Sequence, residues 1–198
     1  MSEGAKARLF VALDVPAPVR ERLAAWARGA AGGPGLEGAR RSLRLLDPDV
    51  MHLTLCFLGS RPVAEIAAIG SALSACPEHA GELSVGAPLW LPHRRPRALG
   101  VALHDEEGDL ARLHAAVTHA LSVVIGWEPT RKRFRAHITV ARIRGGSSSA
   151  GGPAGSSLSL PATPQLRFIP EAVTLYRSWL SPAGASYEAL ATRPLAGP

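Results

Sequence analysis

Cysteine is scarce in this chain of 198 residues, which holds only Cys56 and Cys76. Two are too few for a disulfide scaffold or a zinc ribbon, so both are expected to stay reduced in a cytoplasmic protein. Long apolar runs are missing as well, and no stretch approaches the length that spans a bilayer. Met1 to Arg8 lead straight into a strand-like segment, with no secretory h-region between them. The sequence has no P-loop, no G-x-G-x-x-G after a strand and no G-x-S-x-G elbow. Those absences exclude the common phosphate-cradle and serine-hydrolase readings. Acidic residues are outnumbered, 16 against 22 basic, leaving a net charge of +6 and a pI near 10.3. Such a balance favours an anionic partner.

The chain does have core material. Apolar residues make up 46% of it, which excludes general disorder and allows one compact domain of two lobes over residues 1–198. It also has one tetrapeptide pattern twice. His52-Leu53-Thr54-Leu55 and His137-Ile138-Thr139-Val140 sit 85 residues apart. In a strand, alternate side chains share a face. Each copy therefore sets His beside Thr on one face and two aliphatic residues on the other. Cys56, two residues after Thr54, falls by the same alternation on the His52/Thr54 face and is read as packing.

Local patterns surround the two copies in a similar order. Leu9–Leu13 reads as a buried strand. Ala17–Ala30 reads as a helix with Val19, Leu23, Trp26 and Ala30 on one stripe. Leu43–Leu46 and Met51–Leu58 read as strands, residues 62–75 as a helix and Leu83–Leu91 as a strand. Then come a strand at Ala98–Leu103 and a helix at Glu107–Ile125, with Asp105 as its N-cap. Leu110, Leu113, Val117, Leu121 and Val124 form its stripe and Gly126 its stop. Ala136–Arg142 carries the second motif, and three short strands follow, at residues 165–168, 172–179 and 187–191. From opening strand to motif the separation is 43 residues in one half and 38 in the other. This order implies an internal duplication, each half supplying one wall of a cleft. Strands and helices mix without βα alternation, which implies an α+β fold with antiparallel strands. Residues 145–157, rich in Gly and Ser, read as a flexible surface loop.

The chemistry follows from the residue types. A histidine pair can hold one neutral and one protonated imidazole near neutral pH, to take a proton from water and give one to a leaving oxygen. Thr hydroxyls donate hydrogen bonds to phosphate oxygens as charge develops. Basic clusters at Arg94, Arg95 and Arg97, at Arg131, Lys132, Arg133 and Arg135, and at Arg142 and Arg144 suit a phosphate-bearing substrate. No metal is implied: neither motif contains Asp, Glu or a third His, and His114 and His119 diverge on their helix. His79, His93 and His104 read as turn or loop residues.

With these residues in place, the chain resembles the 2H phosphoesterase superfamily, in particular the bacterial and archaeal RNA 2′,3′-cyclic phosphodiesterases formerly called 2′-5′ RNA ligases. The resemblance rests on Arg8–Pro16, on His52–Gly59, on Phe134–Arg142 and on Leu175–Ser178 with Tyr187 after a Gly turn. It implies a two-lobed fold in which pseudo-twofold duplicated antiparallel sheets flank a central cleft, with helices outside. It implies metal-independent hydrolysis of a terminal 2′,3′-cyclic phosphate to a 2′-phosphate, with reverse 2′-5′ ligase activity in the same site. By resemblance His52 is the proton donor and His137 the proton acceptor, while Thr54 and Thr139 hold the phosphate. Phe10 stacks on the terminal base and Arg142 contacts substrate; no cofactor is required. The partners are RNA 3′ ends or oligonucleotides with a cyclic phosphate, acted on by a monomer away from membranes. Ala136 stands where the family usually has Pro, and strict alternation turns Arg142 away from His137 unless the strand bends. A relative acting on a small cyclic or 2′-5′-linked nucleotide, and a nucleotide-binding module without turnover, are the alternative readings.

Overall fold

The computed structural model describes residues 4–33, 43–93, 96–129, 133–143, 160–181 and 184–197. The 145–157 loop lies outside the described residues, as do Arg94, Arg95, Arg131, Lys132 and Arg144. Nine strands and three α-helices are seen among the described residues, in the order β1 (Lys6–Asp14), α1 (Ala17–Gly32), β2 (Leu43–Leu45), β3 (His52–Pro62), α2 (Ile66–Ser74), β4 (Leu83–Leu91), β5 (Ala98–Asp105), α3 (Asp109–Ile125), β6 (His137–Ile143), β7 (Arg167–Phe168), β8 (Ala172–Ser181) and β9 (Gly184–Pro194). The α+β antiparallel architecture is the one expected. Its strands run β7-β4-β5-β6-β3-β1-β8-β9, with β2 also on β6, in a curled antiparallel half-barrel.

That order is symmetric about its centre. Strands β5 and β6, with the α3 connection, match β1 and β3, with α1. Outside them, β4 pairs with β5 and β8 with β1. Each repeat thus sends its third strand across to extend the other repeat's half. The two halves meet where β3 and β6 touch, in the single bridge Leu53–Ile138.

Alternation on β1 explains the faces. Leu9, Val11 and Leu13 are fully buried and belong to the main core, with Leu23 of α1, Ile69 of α2 and Leu113 of α3. Arg8, Phe10, Ala12 and Asp14 point to the opposite face. Helix α1 begins with Pro16 at its cap and Pro18 in its first turn, where a missing N–H costs nothing.

Four local readings change. Helix α3 starts at Asp109, because Gly108 adopts a left-handed φ of 76°. Asp105 instead ends β5, yet its carboxylate still accepts from the Ala111 N–H in the first turn. The buried stripe of α3 stops at Leu121, and Val124 is exposed. Strand β3 runs on through Pro62, so the following helix begins as a short 3-10 turn and then α2. His104 lies within β5 across from Ser84, where Gly86 leaves room for its ring.

The bridging residue Ile138 is fully buried and Val123 is 70% exposed, so truncation should separate them. Ile138→Ala is expected to lower stability by about 2–5 kcal/mol in urea denaturation. Val123→Ala should stay within about 0.5 kcal/mol. Equal effects would mean that the two halves do not share a core at this joint.

Candidate active site

The two motif strands part immediately after the Leu53–Ile138 bridge. One residue to either side of that bridge stand His52 and Thr54 on β3 and His137 and Thr139 on β6, and by alternation all four share a face. Two histidines and two threonines therefore come together around the pseudo-twofold point, all four partly exposed on the face opposite the main core.

Both imidazoles are oriented by the same device. His52 Nδ1 lies 2.9 Å from the Val50 carbonyl, and His137 Nδ1 lies 2.7 Å from the Arg135 carbonyl, each two residues upstream. A carbonyl only accepts, so Nδ1 carries the proton in each neutral ring and Nε2 is left for chemistry. His52 Nε2 is 3.1 Å from Thr54 Oγ1, which donates to it in that tautomer. Arg20 of α1 steadies the Val50 loop by donating to the Pro48 carbonyl at 3.0 Å. At the second motif the Ala136 carbonyl accepts the Leu103 N–H at 3.0 Å, tying the start of β6 to β5.

Matching β-bulges reset the alternation. In the β1–β3 pairing Val11 opposes Cys56 and Ala12 opposes Thr54, leaving Leu55 extra. In the β5–β6 pairing Leu99 opposes Ala141 and Gly100 opposes Thr139, leaving Val140 extra. Each bulge falls at the fourth motif residue, and each puts two successive residues into the core. Cys56 is thereby turned away from the His52/Thr54 face, correcting the alternation reading. It is buried with Sγ 3.8 Å from Thr118 Oγ1 on α3, and burial pushes its thiol up to about 11. Packing, the role read for it, is what these surroundings provide. Arg142 and Phe57, each the fifth residue after its His, are turned outward onto the site face. For Arg142 the bulge is the bend that strict alternation lacked.

The environment of His52 is aromatic. Phe10 is 4.9 Å away between ring centroids, Tyr187 5.2 Å and Tyr176 6.3 Å. Phe10 itself is 3% exposed, stacked on Tyr176 and edge-on to Tyr187. Its ring packs beside His52 and is covered by the two tyrosines, so Tyr187 and Tyr176, both partly exposed, are the rings beside His52 that are open to a ligand. Asp14 closes β1. Its carboxylate accepts from Tyr176 OH and from Thr174 Oγ1, both at 2.7 Å. The signal for this network lay in the alternation of β1, which puts Asp14 on the Phe10 face. Its partners are 160 and 162 residues away. His114 lies on α3. It stacks on Phe134 at 3.9 Å and bonds the Leu55 carbonyl, and burial holds its pKa down.

Electrostatics separate the motifs. Burial among the aromatic rings pushes the His52 imidazole down to about 4; the Val50 bond opposes this, while Arg142 and then His137 add to it. His52 is neutral at pH 7. Among the described residues no three His, Cys, Asp or Glu side chains converge to hold a metal ion, and no helix is long and apolar enough to cross a membrane.

Known proteins share this arrangement to different degrees. A protein of Archaeoglobus fulgidus named RNA 2′,3′-cyclic phosphodiesterase is 30% identical over 138 residues, 69% of this chain and 73% of that one. The chain belongs to the RNA 2′,3′-cyclic phosphodiesterase family. A member of the same name from Aeropyrum pernix is 30% identical over 106 residues, covering 52% of this chain and 58% of its own. Among solved structures, TT0787 of Thermus thermophilus aligns with a TM-score of 0.74 at 26% identity, over 95% of this chain and 97% of that one. LigT of E. coli, in a complex with 3′-AMP, shares the fold with a TM-score of 0.75 at 22% identity, over 98% and 100%. These two likenesses show that the fold is that of LigT and TT0787. No family model matches the chain.

The sign of the pH response follows from His52. Its folded value of about 4 lies below the ordinary 6.5, so the unfolded chain binds the proton more tightly. His52 thus withdraws stability as pH falls from about 6.5 through 4. In imidazole NMR spectra of the free protein His52 should titrate near pH 4, and Arg142→Gln should move that midpoint upward. A midpoint near 6.5 in the unmodified protein would contradict the buried, cation-faced setting.

Proposed function

We propose that the protein hydrolyses the terminal 2′,3′-cyclic phosphate of RNA to a 2′-phosphomonoester, without metal or cofactor. The observation that carries this reading is the crossing of two His-x-Thr strands, which surrounds one point with two Nε2 atoms and two hydroxyls. The family to which the chain belongs supplies the substrate class. The phosphate sits between Thr54 and Thr139, whose hydroxyls donate to its nonbridging oxygens. His137 Nε2 takes a proton from the attacking water. The bond from phosphorus to the 3′ oxygen breaks opposite it, and His52 Nε2 gives that oxygen its proton.

This allocation makes a demand on His52, which is neutral in the free protein. The arriving phosphodiester anion meets it by pairing with Arg142 and placing negative charge beside the ring, which raises its pKa. Run forward with a 5′-hydroxyl in place of water, the same steps open the cyclic phosphate into a 2′-5′ linkage; abundant water favours hydrolysis. The proposal is completed by a single domain of two lobes acting as a cytoplasmic monomer on RNA 3′ ends.

An RNA oligonucleotide ending in a 2′,3′-cyclic phosphate, incubated with the protein in EDTA, should be converted to a 2′-phosphate end. His52→Ala and His137→Ala should each lower kcat by about 10²–10⁴-fold with the fold retained. Full activity in either variant, or loss of activity in EDTA restored by a divalent metal, would refute the mechanism. With adenosine 2′-monophosphate bound, the His52 midpoint should rise by more than one pH unit. If it stays near 4 in that complex, His52 is the base and His137 the acid.

A further inference from the structure

Phe57 is a large apolar residue left 48% exposed on the site face. The Leu55 bulge turns it there, and in the sheet it lies directly across from Phe10. The guanidinium of Arg8, the next site-face residue on β1, sits over its ring at 4.6 Å. Phe57 is three residues beyond Thr54, about 10 Å along an extended strand and somewhat less across a bulge. The pair therefore flanks the His52 side of the site and lies clear of the four phosphate-facing side chains. An exposed ring next to an arginine is the combination that holds single-stranded nucleic acid, with bases on π-faces and phosphates on the cation.

We propose that Phe57 and Arg8 form a stacking platform for the nucleotide that precedes the cyclic end, so that the site selects an RNA strand over a free mononucleotide. The proposal rests on the phosphodiesterase reading and adds a substrate class to it. A base of the preceding nucleotide lies on Phe57, its phosphate is met by Arg8, and the terminal nucleoside stays against Tyr187 and Tyr176. The pseudo-twofold counterpart of Phe57 is Arg142, which has Ala98 across from it where Phe57 has Phe10. The aromatic platform is thus confined to one half of the site and gives the strand a direction.

The test compares adenosine 2′,3′-cyclic monophosphate with a short RNA oligonucleotide ending in the same cyclic phosphate. Phe57→Ala should lower kcat/KM for the oligonucleotide by about five- to a hundredfold and leave the mononucleotide unchanged, with Phe57→Trp restoring the difference. Arg8→Gln should weaken oligonucleotide binding and reduce its salt dependence by about one phosphate contact. Equal losses on both substrates would make the pair a structural prop and overturn the proposal, as would an unchanged oligonucleotide rate. If the unmodified protein turns over neither substrate, the phosphodiesterase reading fails. Binding of the oligonucleotide then decides: weaker binding by Phe57→Ala supports the platform, and equal binding overturns it.

Discussion

One contact between β-strands organises this molecule. Leu53 and Ile138 are nearly or fully buried, and their bridge is where the two halves of the sheet join. Because side chains alternate along a strand, burying those two aliphatic residues forces His52, Thr54, His137 and Thr139 onto the other face. It also brings the two motifs together at one point, around their shared bridge. A slip of one residue at this joint would send all four into the core. The placement of the two motifs and core packing are therefore set by a single choice of register.

The bulges are a second constraint, and they occur at equivalent points of both motifs. A regular strand would continue to alternate past Leu55 and Val140. The extra residue instead buries Cys56 and Ala141 against the helices and returns Phe57 and Arg142 to the site face. His114 bonds the Leu55 carbonyl at one bulge while its ring stacks on Phe134, three residues before the second motif. Helix α3 thus holds the two motif strands from behind.

The symmetry is geometric and not chemical. Around His52 the neighbours on β1 are Phe10, Ala12 and Asp14; the matching β5 positions near His137 are Ala98, Gly100 and Ala102. Aromatic walls, with Tyr176 held by Asp14, desolvate His52 and disfavour its charged form. Small residues leave the other half open beside Arg142. A duplicated scaffold has in this way given its two imidazoles unlike surroundings, as unlike proton-transfer roles require.

Much of this was legible in the residues alone. The repeated His-x-Thr pattern, the strand at Leu9–Leu13, the α3 stripe through Leu121 and the antiparallel α+β class rest on short-range periodicity, which the sequence carries residue by residue. The surroundings of the site were decided by contacts far apart in the chain. Asp14 meets Tyr176 across 162 residues, and the third strand of each repeat adds to the other repeat's half. The bulges form only when a strand is matched to its partner, so no pattern within His52–Gly59 announces that Cys56 will turn inward. Sequence determined which side chains share the site face, through period-two alternation. Tertiary structure decided how they face one another, which histidine is desolvated and where Phe57 and Arg142 point, because those depend on pairing and burial.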